Sequence, residues 1–148
     1  MKIIIDADAC PRAIKDILFR CSTKRKIKCI LVANQVLNHP ISDYVTSIKV
    51  DKGFDVADNY IVTISEENDL IITSDIPLAS EVIEKGAFVI SHSGKFYNRS
   101  NIKQTLSMRN FLTEMRESGL VQSKNKAYSH QNSQLFSSAL EKFLKNIK

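Results

Sequence analysis

Lys2-Ile3-Ile4-Ile5-Asp6-Ala7-Asp8-Ala9-Cys10-Pro11 is the stretch whose reading decides the fold. Three β-branched apolar residues in a row suit a strand buried on both faces, as in a parallel sheet. The run stops at Asp6, and Asp8 follows two residues later. Pro11 fits the first turn of a helix, where its missing N–H costs nothing. The segment therefore reads as strand, acidic turn, helix. In open α/β sheets, ligands bind beyond the carboxyl ends of the strands. Carboxylate oxygens there are preferred ligands of Mg²⁺ and Mn²⁺. The plainer reading makes Asp8 a helix cap. A cap needs one acid, and this turn has two.

Working outward, Ile14, Ile17, Leu18 and Cys21 share a helical face. Lys24-Arg25-Lys26 closes that helix, where cations complement its dipole. A helix returning from the carboxyl edge ends at the opposite one, so this run lies away from Asp6. Ile27 to Ala33 reads as a second buried strand, with Asn34 and Gln35 at its carboxyl end. Val45 to Val50 is a short third strand. Asp55 opens the next helix, and Asp58, three residues on, shares its face. Asp55 also reads as an N-cap; with one cap in place, Asp58 needs another role.

Asp69-Leu70-Ile71-Ile72-Thr73-Ser74-Asp75 is a fourth, apolar strand ending in hydroxyls and an acid, and Ile76-Pro77-Leu78 restarts a helix. Gly86 ends that helix, and Ala87 to Ile90 is a fifth strand. Lys95, Phe96 and Tyr97 read as a brief hairpin arm. Ser100 is the expected cap of a helix ended by Gly119, with Ile102, Leu106, Phe111, Leu112 and Met115 on its apolar face. Residues 121–128 read as a linker and Ser129 as the cap of a final helix. Leu135, Phe136, Ala139, Leu140, Phe143, Leu144 and Ile147 give that helix an apolar stripe. Its default role is packing on the domain; it is also a candidate homodimer surface.

At 148 residues one domain is expected. Its division is an α/β unit over 1–120, then a linker and amphipathic helix over 121–148 packed on it. The hydrophobic fraction of 43% and charged fraction of 25% are ordinary for a soluble globule. A net charge of +5 permits an anionic partner without demanding one. Cys10, Cys21 and Cys29 are odd in number and lack CxxC spacing, which indicates neither a disulfide framework nor a zinc site. The apolar run after Lys2 is too short for a signal peptide, and no stretch suits a membrane span. A cytoplasmic protein without membrane contact is the expectation.

Alternating strands and helices predict a mainly parallel five-stranded sheet with helices on both faces. The economical strand order is 3-2-1-4-5, with strands 1 and 4 adjacent at the switch point. Asp6, Asp8, Asp55, Asp58 and Asp75 then converge on one edge. Crowded carboxylates repel and raise each other's pKa, a penalty that a divalent cation removes. Two metals there could line up an attacking water against a phosphodiester.

The segments D-A-D-A-C-P (Asp6 to Pro11), V-A-N-Q (Val32 to Gln35), G-F-D-V-A-D (Gly53 to Asp58), T-S-D-I-P-L-A (Thr73 to Ala79) and M-R-N (Met108 to Asn110) resemble the YaiI/YqxD family in order and spacing. That family is placed among PIN-like three-layer folds, whose better-known members are metal-dependent ribonucleases. The resemblance implies catalytic acids at Asp6, Asp58 and Asp75. Asp8 and Asp55 are additional acids that many PIN nucleases do not place this way. The expected activity is a Mg²⁺- or Mn²⁺-dependent phosphodiesterase acting on nucleic acid, RNA favoured. Asp6, Asp8, Asp55, Asp58 and Asp75 are the candidate metal ligands, and Arg12, Asn34, Thr73 and Ser74 the candidate phosphate-orienting groups.

Two rivals stand beside it. Ile-Ile-Ile-Asp-Ala-Asp resembles the turn of haloacid-dehalogenase-like phosphatases, with Asp6 as covalent nucleophile and Asp8 as acid. Against this, Ala9 stands where Thr or Val is usual, and no lysine-plus-acid-pair ending follows. The other rival is a non-catalytic nucleic-acid-binding module that keeps the acids for a structural metal.

Overall fold

The structure is a computed structural model that describes all residues except 9, 38, 40–41, 54, 118–129 and 147–148, and the side chains of 109–111 and 113–117. The expectations for Ala9, Phe111, Met115, Gly119, the 121–128 linker, Ser129 and Ile147 lie outside that description.

The opening isoleucines form β1 (Ile3–Asp6), the strand at the centre of the sheet. It pairs in parallel with β2 (Cys29–Ala33) on one side and β4 (Leu70–Ile72) on the other. Beyond β2 lies β3 (Val45–Lys49), and beyond β4 lies β5 (Phe88–Ile90), both parallel. The expected five-strand order is present, but the sheet has six strands. Phe96–Tyr97 forms β6, antiparallel to β5 at the edge. A parallel partner needs a long crossover, whereas a tight turn can only return the chain antiparallel. The turn Ser91–Lys95 does this: Ser91 N–H donates to Lys95 O (2.9 Å), and Lys95 N–H to Ser91 Oγ (3.1 Å).

Side-chain alternation along β1 divides the core into two layers. Ile3 and Ile5 face α1 (Arg12–Arg25) and α5 (His130–Asn146), together with Ile14, Leu18, Phe136, Leu140 and Leu144. Ile4 faces the other side, with Ile61 of α2 (Val56–Ile64), Val82 and Ile83 of α3 (Ile76–Glu84), and Ile102 of α4 (Ile102–Glu117). All three isoleucines are fully buried. That pattern explains why β1 is an apolar run and not an alternation.

Helix ends follow their local chemistry. Lys24 and Arg25 lie in the last turn of α1, and Lys26 ends it in a left-handed conformation. Arg25 pairs with Glu141 of α5 at 3.0 Å, so the basic run belongs to the edge opposite Asp6. Ser100 does not cap α4. Its hydroxyl donates to Asn98, whose side-chain oxygen also takes the N–H groups of Ser100 (2.9 Å) and Asn101 (3.2 Å). Asn98 reaches these donors because an Asx side chain closes a turn on its own following residues. At the amino edge, Asp69 is buried and accepts from the Lys2 backbone N–H, the Lys2 ammonium and the Glu66 N–H. Among the described residues no helix is long and apolar enough to cross a membrane.

Candidate functional site

The carboxyl edge of the sheet gathers the acids from separate segments. Asp6 is the last residue of β1. Thr73, just past β4, donates its hydroxyl to Asp6 Oδ2 at 3.0 Å and accepts the Asp75 N–H at 3.0 Å. Thr73 thus locks the two strand ends together. Asp75 is the N-cap of α3, its Oδ1 accepting from Leu78 N–H at 3.1 Å, with Pro77 in the first turn. Asp58, in the first turn of α2, lines the same cleft as Asp75. Asp55 precedes α2 in a left-handed conformation (φ 64°) and makes no capping bond. Capping therefore does not account for it, and its carboxylate stands with Asp58 and Asp75 on a cleft of about 310 Å³.

These acids act on one another. Burial raises the Asp6 pKa above its ordinary value, Thr73 opposes that, and the charges of Asp75 and Asp8 add to it. Asp58 is pushed from 3.8 to about 6, first by burial, then by the charges of Asp75, Asp6 and Asp55, and by the hydrogen bond that its protonated form can give Asp75. Removing water and crowding like charges both disfavour the ionised form.

Other predicted residues have structural tasks. Asp8 is exposed, and its Oδ2 accepts the Asn34 N–H at 2.8 Å, tying the β1 turn to the end of β2. Asn34 thus contributes its backbone to the scaffold. Ser74 Oγ accepts the His92 N–H at 3.1 Å and links the ends of β4 and β5. Arg12 opens α1 at this edge and is exposed. Asn59 and Glu81 also line the acidic cleft, although the sequence reading did not single them out. The spacing of Pro77 and Glu81 by one helical turn was the available signal.

The raised Asp58 pKa fixes the sign of a pH dependence. Between 3.8 and about 6 the folded protein binds a proton that the unfolded chain releases. Stability of the metal-free protein is therefore expected to fall as pH rises through that window, and to level off above it. Discounted for solvent screening, the loss is about 1 kcal/mol. Melting wild type and Asp58→Asn in chelator from about pH 4.5 to about pH 7.5 checks it. The advantage of Asp58→Asn should grow to near pH 6 and then hold; a constant difference would show the carboxylates to be uncoupled.

Among the described residues, no group of three or more His, Cys, Asp or Glu side chains is set as a ready-made metal cage. The donor set nonetheless fits a hard cation. It is all oxygen, and Mg²⁺ commonly keeps several waters and takes only one or two carboxylates. The three cysteines, free and buried in the core, do not belong to it.

Relatives share this chain almost from end to end. A UPF0178 protein of Maridesulfovibrio salexigens is 49% identical over 144 residues, covering 97% of this chain and 95% of its own. One from Hahella chejuensis is also 49% identical, with 97% and 96% covered. One from Shewanella sp. strain MR-7 is 46% identical over 147 residues, with 99% and 97% covered. No solved structure matches. The model of the uncharacterised YaiI/YqxD family matches residues 4–146, and the chain belongs to that family.

Proposed function

We propose that this protein is a Mg²⁺- or Mn²⁺-dependent phosphodiesterase of the PIN-like type, acting in the cytoplasm on nucleic acid, with RNA favoured. The observation that carries this reading is the coupling of Asp6, Asp58 and Asp75, three acids from separate segments at one sheet edge. Such crowding costs stability, and a site that retains it needs a positive charge in return. A divalent cation at these acids supplies Lewis-acid stabilisation to a phosphodiester.

The chain's own groups do the rest. Thr73 holds Asp6 in one orientation by donating to its Oδ2. Leu78 N–H holds Asp75 by Oδ1, and Asp75 lines the cleft. Asp58, on the same cleft as Asp75, would give the cation a further carboxylate oxygen. Arg12 is an exposed cation at the same edge, suited to a phosphate.

The experiment is incubation of labelled RNA, DNA and nucleoside monophosphates with protein, in Mn²⁺ or in chelator. RNA chain cleavage that needs the cation and is lost in Asp75→Asn is expected. Release of phosphate from monophosphates, with an aspartyl-phosphate trapped as its fluoride complex, would favour the dehalogenase-like alternative. RNA binding that survives chelation, with no cleavage, would favour a binding module.

A further inference from the structure

We propose that a second cleft, beside the carboxylates, receives an unpaired nucleobase, which makes the substrate single-stranded nucleic acid. This rests on the phosphodiesterase reading of the acidic edge. The cleft is about 490 Å³, within the usual range for small-ligand sites, and lies where α4 approaches α3 and β6. Ile76, Lys95, Tyr97, Gln104, Met108 and Leu112 line it. Ile76 follows Asp75 directly, and Asp75 and Pro77 line the acidic cleft. The first turn of α3 is therefore the wall between the two recesses. A nucleotide whose phosphate meets the acids has its base one step away.

The chemistry of the walls suits a base. Ile76 and Leu112 are half-buried, and Met108 is 53% exposed, an uncommon position for a large apolar side chain. A thioether and aliphatic carbons form a surface that takes any flat π-system. Two carboxamides line the recess. Asn101 is committed, donating to Phe96 O at 3.0 Å and accepting Asn98 N–H at 2.9 Å. Gln104 is exposed and has no protein partner among the described residues, so both of its polar ends are available. Lys95 sits on the rigid Ser91–Lys95 turn, its ammonium 5.4 Å from the centre of the Tyr97 ring. It places a positive charge at the mouth, where the sugar-phosphate chain passes.

A recess of this kind takes a base that is splayed out and leaves a stacked, paired base outside. The specificity is for strandedness, with Gln104 able to read a base edge.

The test uses Asp6→Asn, so that substrate is not consumed, and fluorescence anisotropy with three probes: a single-stranded RNA, its duplex, and the same strand with abasic residues. The single strand should bind at least about tenfold tighter than either. Adding Met108→Ala with Gln104→Ala should remove about tenfold of that affinity and leave the abasic probe's binding unchanged. Equal binding of abasic and base-bearing strands, equal binding of duplex, or no loss in the double variant would overturn the proposal. Wild-type cleavage of RNA is scored separately. Cation-dependent cleavage with no base-dependent binding sinks the cleft alone. Base-dependent binding without cleavage sinks the phosphodiesterase reading alone. Neither binding nor cleavage sinks both.

Discussion

Asp6→Asn is expected to raise the melting temperature of the metal-free protein and to erase its response to Mn²⁺. Asp6 is half-buried, and its carboxyl is disfavoured in the charged form by burial and by Asp75 and Asp8. Asparagine keeps an oxygen for the Thr73 hydroxyl and removes the charge, so repulsion falls while the β1–β4 link stays. In the wild type, a cation bound to the folded site at a hundredfold excess over its dissociation constant adds roughly 2.7 kcal/mol. For a domain of this size that is a rise in Tm of roughly 5–11 °C. Thermal melts of both proteins, in chelator and in Mn²⁺, check it. A wild type indifferent to millimolar Mn²⁺ would leave the metal reading without support. A variant that melts lower than wild type in chelator would show that Asp6 stabilises the fold as an acceptor and is not held there against repulsion.

The sequence is informative where one residue type has one physical meaning. Three isoleucines before an acid require a central strand, because only burial on both faces accounts for consecutive β-branched residues. Prolines at the starts of α1 and α3 mark the carboxyl edge, since proline is tolerated in a first helical turn and not deeper. These two signals place Asp6 and Asp75 on the same edge, and parallel pairing of Ile3–Ile5 with Leu70–Ile72 puts them there. Asp58 follows from helix periodicity: once Asp55 opens α2, the acid three residues on joins its face.

The polar residues are less legible, because their partners come from other segments. Asp8 reads as a site acid, but the identity of its partner, the Asn34 N–H, depends on β1 and β2 being neighbours. Ser74 reads as a phosphate contact, and only the adjacency of β4 and β5 gives it His92. The sixth strand is also a tertiary outcome. The brief hairpin arm expected at Lys95 to Tyr97 is this strand, Phe96–Tyr97, although two residues are too short to show alternation. It becomes a strand because the turn before it closes and because Phe96 packs against Phe88 and Phe143, with ring centroids 6.1 and 5.9 Å away. Met108 enters the sequence reading only through the M-R-N segment of the family resemblance, and Gln104 has no signal in one sequence at all. An exposed methionine on an amphipathic helix looks like the edge of a core stripe until a cleft is found beneath it.

Gly94→Ala is expected to be the most damaging single change outside the core, although it adds one carbon. Gly94 has φ +87°, where a side chain is strained. A Cβ there would also lie 2.6 Å from the carbonyl carbon and oxygen of Leu135 and 2.9 Å from Phe136 N. Those are backbone atoms of α5, so no rotamer change relieves the contact and the helix must lift. Lifting it unseats the fully buried Phe136 and, behind it, Leu140 and Leu144, and parts Phe143 from Phe88, now 5.3 Å between centroids. Strain and overpacking together cost roughly 3 kcal/mol or more. A fall in Tm of roughly 6–12 °C is expected, against little change for Ser138→Ala on the exposed side of the same helix. A second readout locates the damage. Cys21 is buried in the α1–α5 layer, near Glu141, and burial holds its thiol above the ordinary pKa. If α5 lifts, Cys21 becomes reactive toward an aromatic disulfide reagent in the folded protein. A lower Tm with Cys21 still protected would mean that the β5–β6 turn moved and the helix stayed.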